Sequence, residues 1–123
     1  MDCIFCNKND GGVILNTRFF IARYDEYPVS PGHIIIIPKR HVEDYFLLTR
    51  YEREELFNEC ILQCYQLLEA KYKPDGYNIG INCGEAAGQS IMHCHIHIIP
   101  RYKGDVENPR GGVRGVIPSK QNY

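Results

Sequence analysis

The spacing of hydrophobic residues predicts a series of short strands near the start of the chain. Residues 13–15, 19–24 and 33–37 are rich in β-branched and aromatic side chains, and turn-forming residues separate these runs. The first two runs are close enough to form a hairpin. The third is almost continuously aliphatic and ends at Pro38, which predicts a central strand that is covered on both faces.

Residues 49–72 carry the pattern of one long amphipathic helix, because apolar residues recur three and four positions apart. Thr49 followed by Glu52 matches a capping box at its start. Cys60 and Cys64 fall on the apolar stripe of this helix. We therefore predict that both cysteines pack in the core and bind no ligand.

Two more strands are predicted after the helix, at residues 77–82 and 91–99. The order of three strands, a helix and two strands favours an α+β fold with a mainly antiparallel sheet. The chain of 123 residues is long enough for one domain. We expect this domain over residues 1–101, followed by a glycine- and proline-containing extended tail over 102–123.

Charge and hydropathy exclude several classes of partner. Lys and Arg total 14, Asp and Glu total 15, and the formal net charge is −1, so no overall positive field attracts nucleic acid or an anionic membrane. The longest aliphatic run, residues 34–37, is far shorter than the roughly 20 residues that span a bilayer. The first residues also lack the basic segment of a signal peptide. We expect a cytoplasmic protein that binds neither nucleic acid nor membrane.

Three histidines, His93, His95 and His97, alternate along the last predicted strand. Side chains two residues apart on a strand share a face, so the sequence predicts a row of three imidazoles. Two chemistries fit such a row. Alternating histidines can chelate a zinc ion that acts as a Lewis acid. Alternatively, one imidazole can be a nucleophile that its neighbours orient.

The loop before this row favours phosphate chemistry. Gly84 and Gly88 bracket it, and Gln89 and Ser90 end it. Exposed backbone N–H groups and a hydroxyl can form an anion-binding nest in such a loop. A phosphate held beside a row of histidines predicts phosphoryl transfer.

The sequence resembles the histidine triad (HIT) family in two segments. Residues 88–100 read GQSIMHCHIHIIP and follow Asn82, which is similar to the family signature, and residues 31–41 read PGHIIIIPKRH, which is similar to its second characteristic segment. The resemblance covers about residues 3–101, and Asn82 and Ser90 favour the Hint-like branch of zinc-containing, bacterial-type HIT proteins. Cys94 departs from the pattern, which prefers an aliphatic residue, although a buried thiol packs as a small hydrophobe.

The resemblance implies a HIT-like α+β fold, a curved antiparallel sheet of about five strands with one long and one short helix. It implies a hydrolase or transferase that cleaves at the α-phosphorus of a nucleoside phosphoramidate or dinucleoside polyphosphate. His95 would attack the phosphorus and carry the nucleotidyl group, oriented by the backbone carbonyl of His93. His97 would hydrogen-bond the phosphate and the leaving group, with His33 beside the row. The implied substrate contacts are Asp25 to the ribose, and Asn82 and the loop from Gly88 through Gln89 to Ser90 to the phosphate.

Two other functions stay open at this point. A nucleotide-binding adaptor would keep the same pocket with negligible turnover. A zinc metallohydrolase would use His93, His95 and His97 as metal ligands. Asp25 can alternatively be a turn residue with no contact to the substrate, because it lies beside a proline-containing turn.

Cys3 and Cys6 have the spacing of a metal-ligand pair, although a single pair of this kind can also be redox-active or incidental. The resemblance implies that His41 and His93 complete a structural zinc site with them. Without a metal, His41 would be a surface residue beside the basic corner at Lys39.

The resemblance further implies a homodimer whose ligand is a purine nucleotide or a nucleotide conjugate. We expect the tail after Arg101 to pack on the partner and line its site.

Overall fold

The computed structural model describes residues 3–7 and 12–123 and contains one five-stranded sheet with a long helix against one face. The strands are β1 (Val13–Asn16), β2 (Phe20–Tyr24), β3 (Ile34–Pro38), β4 (Gly76–Gly80) and β5 (Ile96–Arg101). Their order across the sheet is β1-β2-β3-β5-β4, and all neighbouring pairs are antiparallel. The predicted α+β fold is confirmed.

The long helix begins at the signal that the sequence carries. A single turn, α1, covers Ile4–Asn7, and the long helix, α2, runs through Arg50–Glu55, a π-helical turn at Leu56–Cys60, and Ile61–Lys71. The predicted capping box is present, because the Thr49 hydroxyl accepts from the Glu52 N–H at 3.1 Å and the Glu52 carboxylate accepts from the Thr49 N–H at 2.8 Å.

The core lies between α2 and one face of the sheet. Cys60 and Cys64 are both 0% exposed there, which confirms that they are packing residues. Burial raises the pKa of the Cys60 thiol to about 11 and that of Cys64 to about 12, so both are neutral at pH 7. Among the described residues, no helix is both long and apolar enough to cross a membrane.

The opposite face of the sheet carries a second set of side chains. Along β2, Phe20 and Ala22 contact the core, whereas Arg23 points to the other side. The pairing continues this second surface across the sheet, because Arg23 lies opposite Ile35 on β3 and Ile35 lies opposite His97 on β5. The candidate site is built on this surface.

The predicted strand over residues 91–99 is wrong at its start, because β5 begins at Ile96. Its neighbour β3 ends at Pro38, which has no N–H to donate and whose carbonyl oxygen lies 2.9 Å from His93 Nε2. The Cys94 N–H donates to the Val42 carbonyl outside the sheet. His93 and His95 therefore precede the strand, and the three imidazoles do not form a regular row.

The tail over residues 102–123, which the sequence analysis expects to be extended, is folded locally in part. It contains two short 3₁₀ helices, Gly112–Val116 and Pro118–Lys120. The Gln121 side chain closes the segment by donating to the backbone carbonyls of Asn108 and Arg110. Gly111 permits this closure, because it has φ +90° and a Cβ there would collide with the Gln121 carbonyl.

Candidate functional site

A pocket of about 320 Å³ opens on the sheet face opposite α2. Residues of β2, β3, β5, α1 and the loop before β5 line it. The pocket brings together seven residues that the sequence analysis selected: Asp25, His33, Asn82, Gly88, Ser90, His95 and His97.

His95 has a defined tautomer. Its Nδ1 lies 2.9 Å from the backbone carbonyl oxygen of His93, and because a carbonyl only accepts, Nδ1 carries the proton. The other ring nitrogen, Nε2, therefore has its lone pair available. His95 lines the pocket and is half-buried, so this nitrogen belongs to a side chain that a substrate can reach. The arrangement matches what a histidine nucleophile needs.

His33 and His97 form a relay with defined protons. The Val29 N–H donates to His33 Nδ1 at 3.0 Å, which places the His33 proton on Nε2. His33 Nε2 lies 2.9 Å from His97 Nδ1 and donates to it. The proton of neutral His97 must then be on Nε2. His97 consequently presents a hydrogen-bond donor, not an acceptor, to the pocket.

Asp25 lies at the end of this relay. Its Oδ2 is 3.5 Å from His33 Nε2 and 3.9 Å from His97 Nδ1, and its Oδ1 accepts from the Tyr27 N–H at 2.8 Å. Asp25 therefore organises the following turn and also lines the pocket.

Burial lowers the pKa of His97 to about 4, nearby His95 and His33 add to this shift, and Asp25 opposes it. In the unfolded chain the pKa is about 6.5, so below that pH the unfolded state binds a proton that the folded state does not. We expect the free energy of unfolding to fall by about 3 kcal/mol as the pH decreases from about 6.5 to 4. Urea unfolding across this range checks it. His97→Asn should show a shallower decline, and equal slopes for variant and wild type would contradict the assignment.

The loop before His93 is closed by internal hydrogen bonds, and its backbone N–H groups are not arranged as predicted. The Gly88 N–H donates to the Glu85 carbonyl and the Gln89 N–H donates to the Gly84 carbonyl, so neither is directed at a phosphate. The nest prediction is wrong for these two groups. The nearby polar groups that line the pocket are the side chains of Asn82 and Ser90, both exposed.

The Gln89 side chain is buried and hydrogen-bonds to the backbone around the loop. It is 3% exposed, and its side chain accepts from the Gly84 N–H and donates to the Glu43 and Ile91 carbonyls. Gln89 therefore holds the loop together and does not line the pocket, unlike the substrate contact that the sequence analysis expected.

A second cluster lies beside the pocket and contains Cys3, Cys6, His41 and His93, with one ligand atom of each within 4.8 Å of the others. His93 Nδ1 is 3.3 Å from Cys3 Sγ and 3.4 Å from Cys6 Sγ, and Cys6 Sγ is 3.1 Å from His41 Nδ1. The predicted four residues are thus together in space. Two thiols and two imidazoles form the donor set that structural zinc prefers.

The protonation of His93 fits a metal ligand. Its Nε2 donates to the Pro38 carbonyl, so the lone pair of Nδ1 faces the two thiols. Such a hydrogen bond to a backbone carbonyl commonly orients a metal-binding histidine. Burial also lowers the pKa of His93, which keeps the imidazole neutral.

The metallohydrolase alternative does not fit this geometry. Both nitrogens of His93 are engaged away from the pocket, Nδ1 with the two thiols and Nε2 with the Pro38 carbonyl, and neutral His97 carries its proton on Nε2. A second possible ligand group, Asp25, His33 and His97, lies within the pocket. The proton on His33 Nε2, which the Val29 N–H fixes there, occupies the atom that would bind the metal.

Phe5 and Arg23 are among the pocket residues that the sequence analysis did not select. The Phe5 ring centroid is 5.0 Å from that of His95, and the Arg23 guanidinium carbon is 5.6 Å from the Phe5 centroid. Alternation along β2 could have identified Arg23, since it is two residues from Asp25. Phe5 had no such signal, because only the folded cluster shows that the helical turn between the two cysteines reaches the pocket.

The HIT domain family model matches residues 7–104 of the chain. Protein hit of Bacillus subtilis is 35% identical, over 85% of this chain and 74% of that protein. An AP-4-A phosphorylase of Mycobacterium tuberculosis is 33% identical, over 80% of this chain and 51% of the enzyme. A bis(5'-nucleosyl)-tetraphosphatase (asymmetrical) of Schizosaccharomyces pombe is 38% identical, over 76% of this chain and 50% of the enzyme.

Solved structures show the same fold. A HIT family protein from Bacillus anthracis superposes with a TM-score of 0.78 at 34% identity, covering 85% of this chain and 76% of that one. A zinc-bound histidine triad family protein from Mycobacterium smegmatis has a TM-score of 0.76 at 29% identity, covering 88% of this chain and 81% of that one. The sequence match and the shared architecture agree, and this chain belongs to the HIT domain family.

Proposed function

We propose that the protein is a nucleotide hydrolase or transferase that forms a covalent nucleotidyl intermediate on His95. The observation that carries the proposal is the hydrogen bond from His95 Nδ1 to the His93 carbonyl, which leaves Nε2 as a lone-pair donor in the pocket. The relatives named AP-4-A phosphorylase and bis(5'-nucleosyl)-tetraphosphatase support nucleotide processing. The substrate is a nucleoside phosphoramidate or a dinucleoside polyphosphate.

The reaction has two displacement steps. His95 Nε2 attacks the α-phosphorus, a P–N bond forms, and the leaving group departs with its electron pair and takes a proton from solvent. Water then attacks the phosphorus, releases a proton to solvent and returns the P–N electron pair to Nε2. His97 Nε2–H stabilises the charge on the phosphoryl oxygens in both steps, because the relay from His33 keeps it a donor. Asp25 accepts from the ribose hydroxyls.

Rapid quenching with a radiolabelled purine nucleoside phosphoramidate tests the proposal. We expect a burst of one labelled nucleotide per active site, and mass mapping should locate the adduct on the peptide that contains His95. A labelled His93 or His97 would contradict the assigned nucleophile. Nucleotide binding without any adduct or turnover would instead assign the protein as an adaptor.

We also propose that Cys3, Cys6, His41 and His93 hold a structural zinc ion. The spacing of their ligand atoms and the tautomer of His93 support this, and so does the zinc-bound relative. Zinc bound there would join the first turn of the chain to the segment before β5. It would take no part in the displacement steps.

A homodimer is proposed across the edge formed by β4 and α2. Within the described part of the chain, β4 pairs only with β5, so its outer edge has no partner strand. The adjoining surface is apolar, with Phe57 52%, Leu62 50% and Ile79 47% exposed. Gly112 approaches the Asn78 side chain, which puts the tail beside the same edge, where a partner would contact it.

Sedimentation at micromolar concentration checks the dimer. Wild type should sediment at twice its mass of 14.2 kDa. Leu62→Glu places a charge in the proposed interface and should shift the protein to the monomer. Gln63→Glu, at an exposed neighbouring position on α2, is the matched control and should remain dimeric. A monomeric wild type would contradict the proposal.

A further inference from the structure

The six cysteines of the chain differ in their access to solvent. Cys60, Cys64 and Cys94 are at most 1% exposed, and burial raises the pKa of these thiols to about 11 or 12. Such thiols react poorly with oxidants, because the thiolate is the nucleophile. Cys3, in contrast, is half-buried and Cys6 is exposed. An oxidant in solution therefore reaches this pair before the core cysteines.

Cys3 and Cys6 also have the geometry of a pair that a disulfide can bridge. Cys3 immediately precedes α1, Cys6 lies within it, and the Cys6 N–H donates to Cys3 Sγ at 3.4 Å. Residues three apart on a helical turn have Cα atoms about 5 Å apart, inside the range of about 4.4 to 6.8 Å that disulfides span. The two Sγ atoms lie within 4.8 Å of each other. Among the described residues, half-buried Cys83 belongs to no comparable cluster.

We propose that Cys3 and Cys6 are an oxidation site, at which a peroxide forms a disulfide and thereby weakens nucleotide binding. The inference rests on the zinc site and the nucleotide pocket proposed above, in which both sulfurs are thiolates. The thiolate of exposed Cys6 attacks one peroxide oxygen, the O–O bond breaks, and a sulfenic acid and hydroxide result. The Cys3 thiolate then displaces hydroxide from that sulfur. Two electrons pass from the sulfurs to the peroxide, and two protons from solvent convert both hydroxides to water.

The loss of the two thiolates reaches the pocket through α1. The Phe5 ring, between the two cysteines, lines the pocket, with its centroid 5.9 Å from that of His93 and 5.0 Å from that of His95. Once two of the four ligands are oxidised, a metal no longer joins α1 to His41 and His93. Phe5 is then no longer fixed as a wall of the pocket. His95 keeps its hydrogen bond to the His93 carbonyl, so the effect falls on binding.

Peroxide titration of the purified protein tests the inference through three measurements. The mass under denaturing conditions should fall by about 2 Da, and peptide mapping should locate the disulfide between Cys3 and Cys6. A colorimetric chelator should detect about one zinc ion released per chain. The affinity for AMP, measured by calorimetry, should fall several-fold, and a thiol reductant with added zinc should restore it.

Two variants complete the test. Cys83→Ser removes a half-buried cysteine outside the cluster and should respond to peroxide as wild type does. Cys6→Ser leaves Cys3 without a partner, so peroxide should add oxygen to the chain and form no disulfide.

Oxidation of Cys83 or of a core cysteine before Cys3 and Cys6 would overturn the inference. An unchanged AMP affinity in the fully disulfide-bonded protein would overturn it as well. Disulfide formation with weaker AMP binding in a protein purified without zinc would contradict the proposed zinc site alone. A missing His95 adduct would contradict the proposed chemistry alone, because none of the three measurements requires turnover.

Discussion

Replacing His95 by Asn should lower turnover by about 10⁴-fold or more while the nucleotide still binds. Asparagine is similar in size and keeps a hydrogen-bonding amide, but it cannot form the P–N bond. Binding should survive because the proposed contacts to ribose and phosphate come from Asp25, Asn82 and Ser90, which line the pocket independently of His95. Single-turnover kinetics and equilibrium binding measure the two effects separately.

His97→Asn provides the comparison for this result. It removes a donor that stabilises charge but leaves the bond-forming nitrogen in place, so we expect a loss of about 10²- to 10³-fold. The order of the two effects is the diagnostic feature. Near-normal turnover in His95→Asn, or a larger loss in His97→Asn, would contradict the assignment of His95 as nucleophile.

The fold was predictable because its determinants are local. Thr49 and Glu52 fix the start of α2 through a bond pattern that needs only a three-residue spacing. Cys60 and Cys64 reveal their burial by lying on one helical stripe. The start of β5 was not predictable in this way, because it depends on Pro38, far away in sequence, and on the contact of its carbonyl with the His93 ring.

The candidate site was predictable as a set of residues but not as a set of roles. Asp25, His33, His95 and His97 do meet in one pocket, as the family resemblance implied. The proton positions of His33 and His97 follow from the Val29 N–H, which donates to His33 Nδ1. The spacing of residues in the sequence does not reveal this contact. Gln89 lies inside the signature, and its sequence position suggests a contact to the ligand. Its side chain instead hydrogen-bonds to the backbone of Gly84 and Glu43.

The residues of the cysteine cluster also position parts of the pocket. Cys3 and Cys6 flank Ile4 and Phe5, and both of these intervening residues line the pocket. His93 supplies a ring nitrogen to the cluster and its carbonyl to His95. A change in the cluster should therefore affect the pocket wall as well as the fold.

Cys3→Ser or Cys6→Ser should remove the bound metal and lower the melting temperature by roughly 10 °C, since the loss of a structural zinc ligand costs several kcal/mol. Purified wild type should carry about one zinc per chain, measured by elemental analysis. The chemical step should change little because His95 keeps its own bond to His93, whereas KM should rise because Phe5 is no longer held beside the pocket. Cys83→Ser, at a half-buried cysteine outside the cluster, is the matched control and should keep its zinc. Metal-free wild type with an unchanged melting temperature would contradict the zinc site and leave the His95 chemistry unaffected.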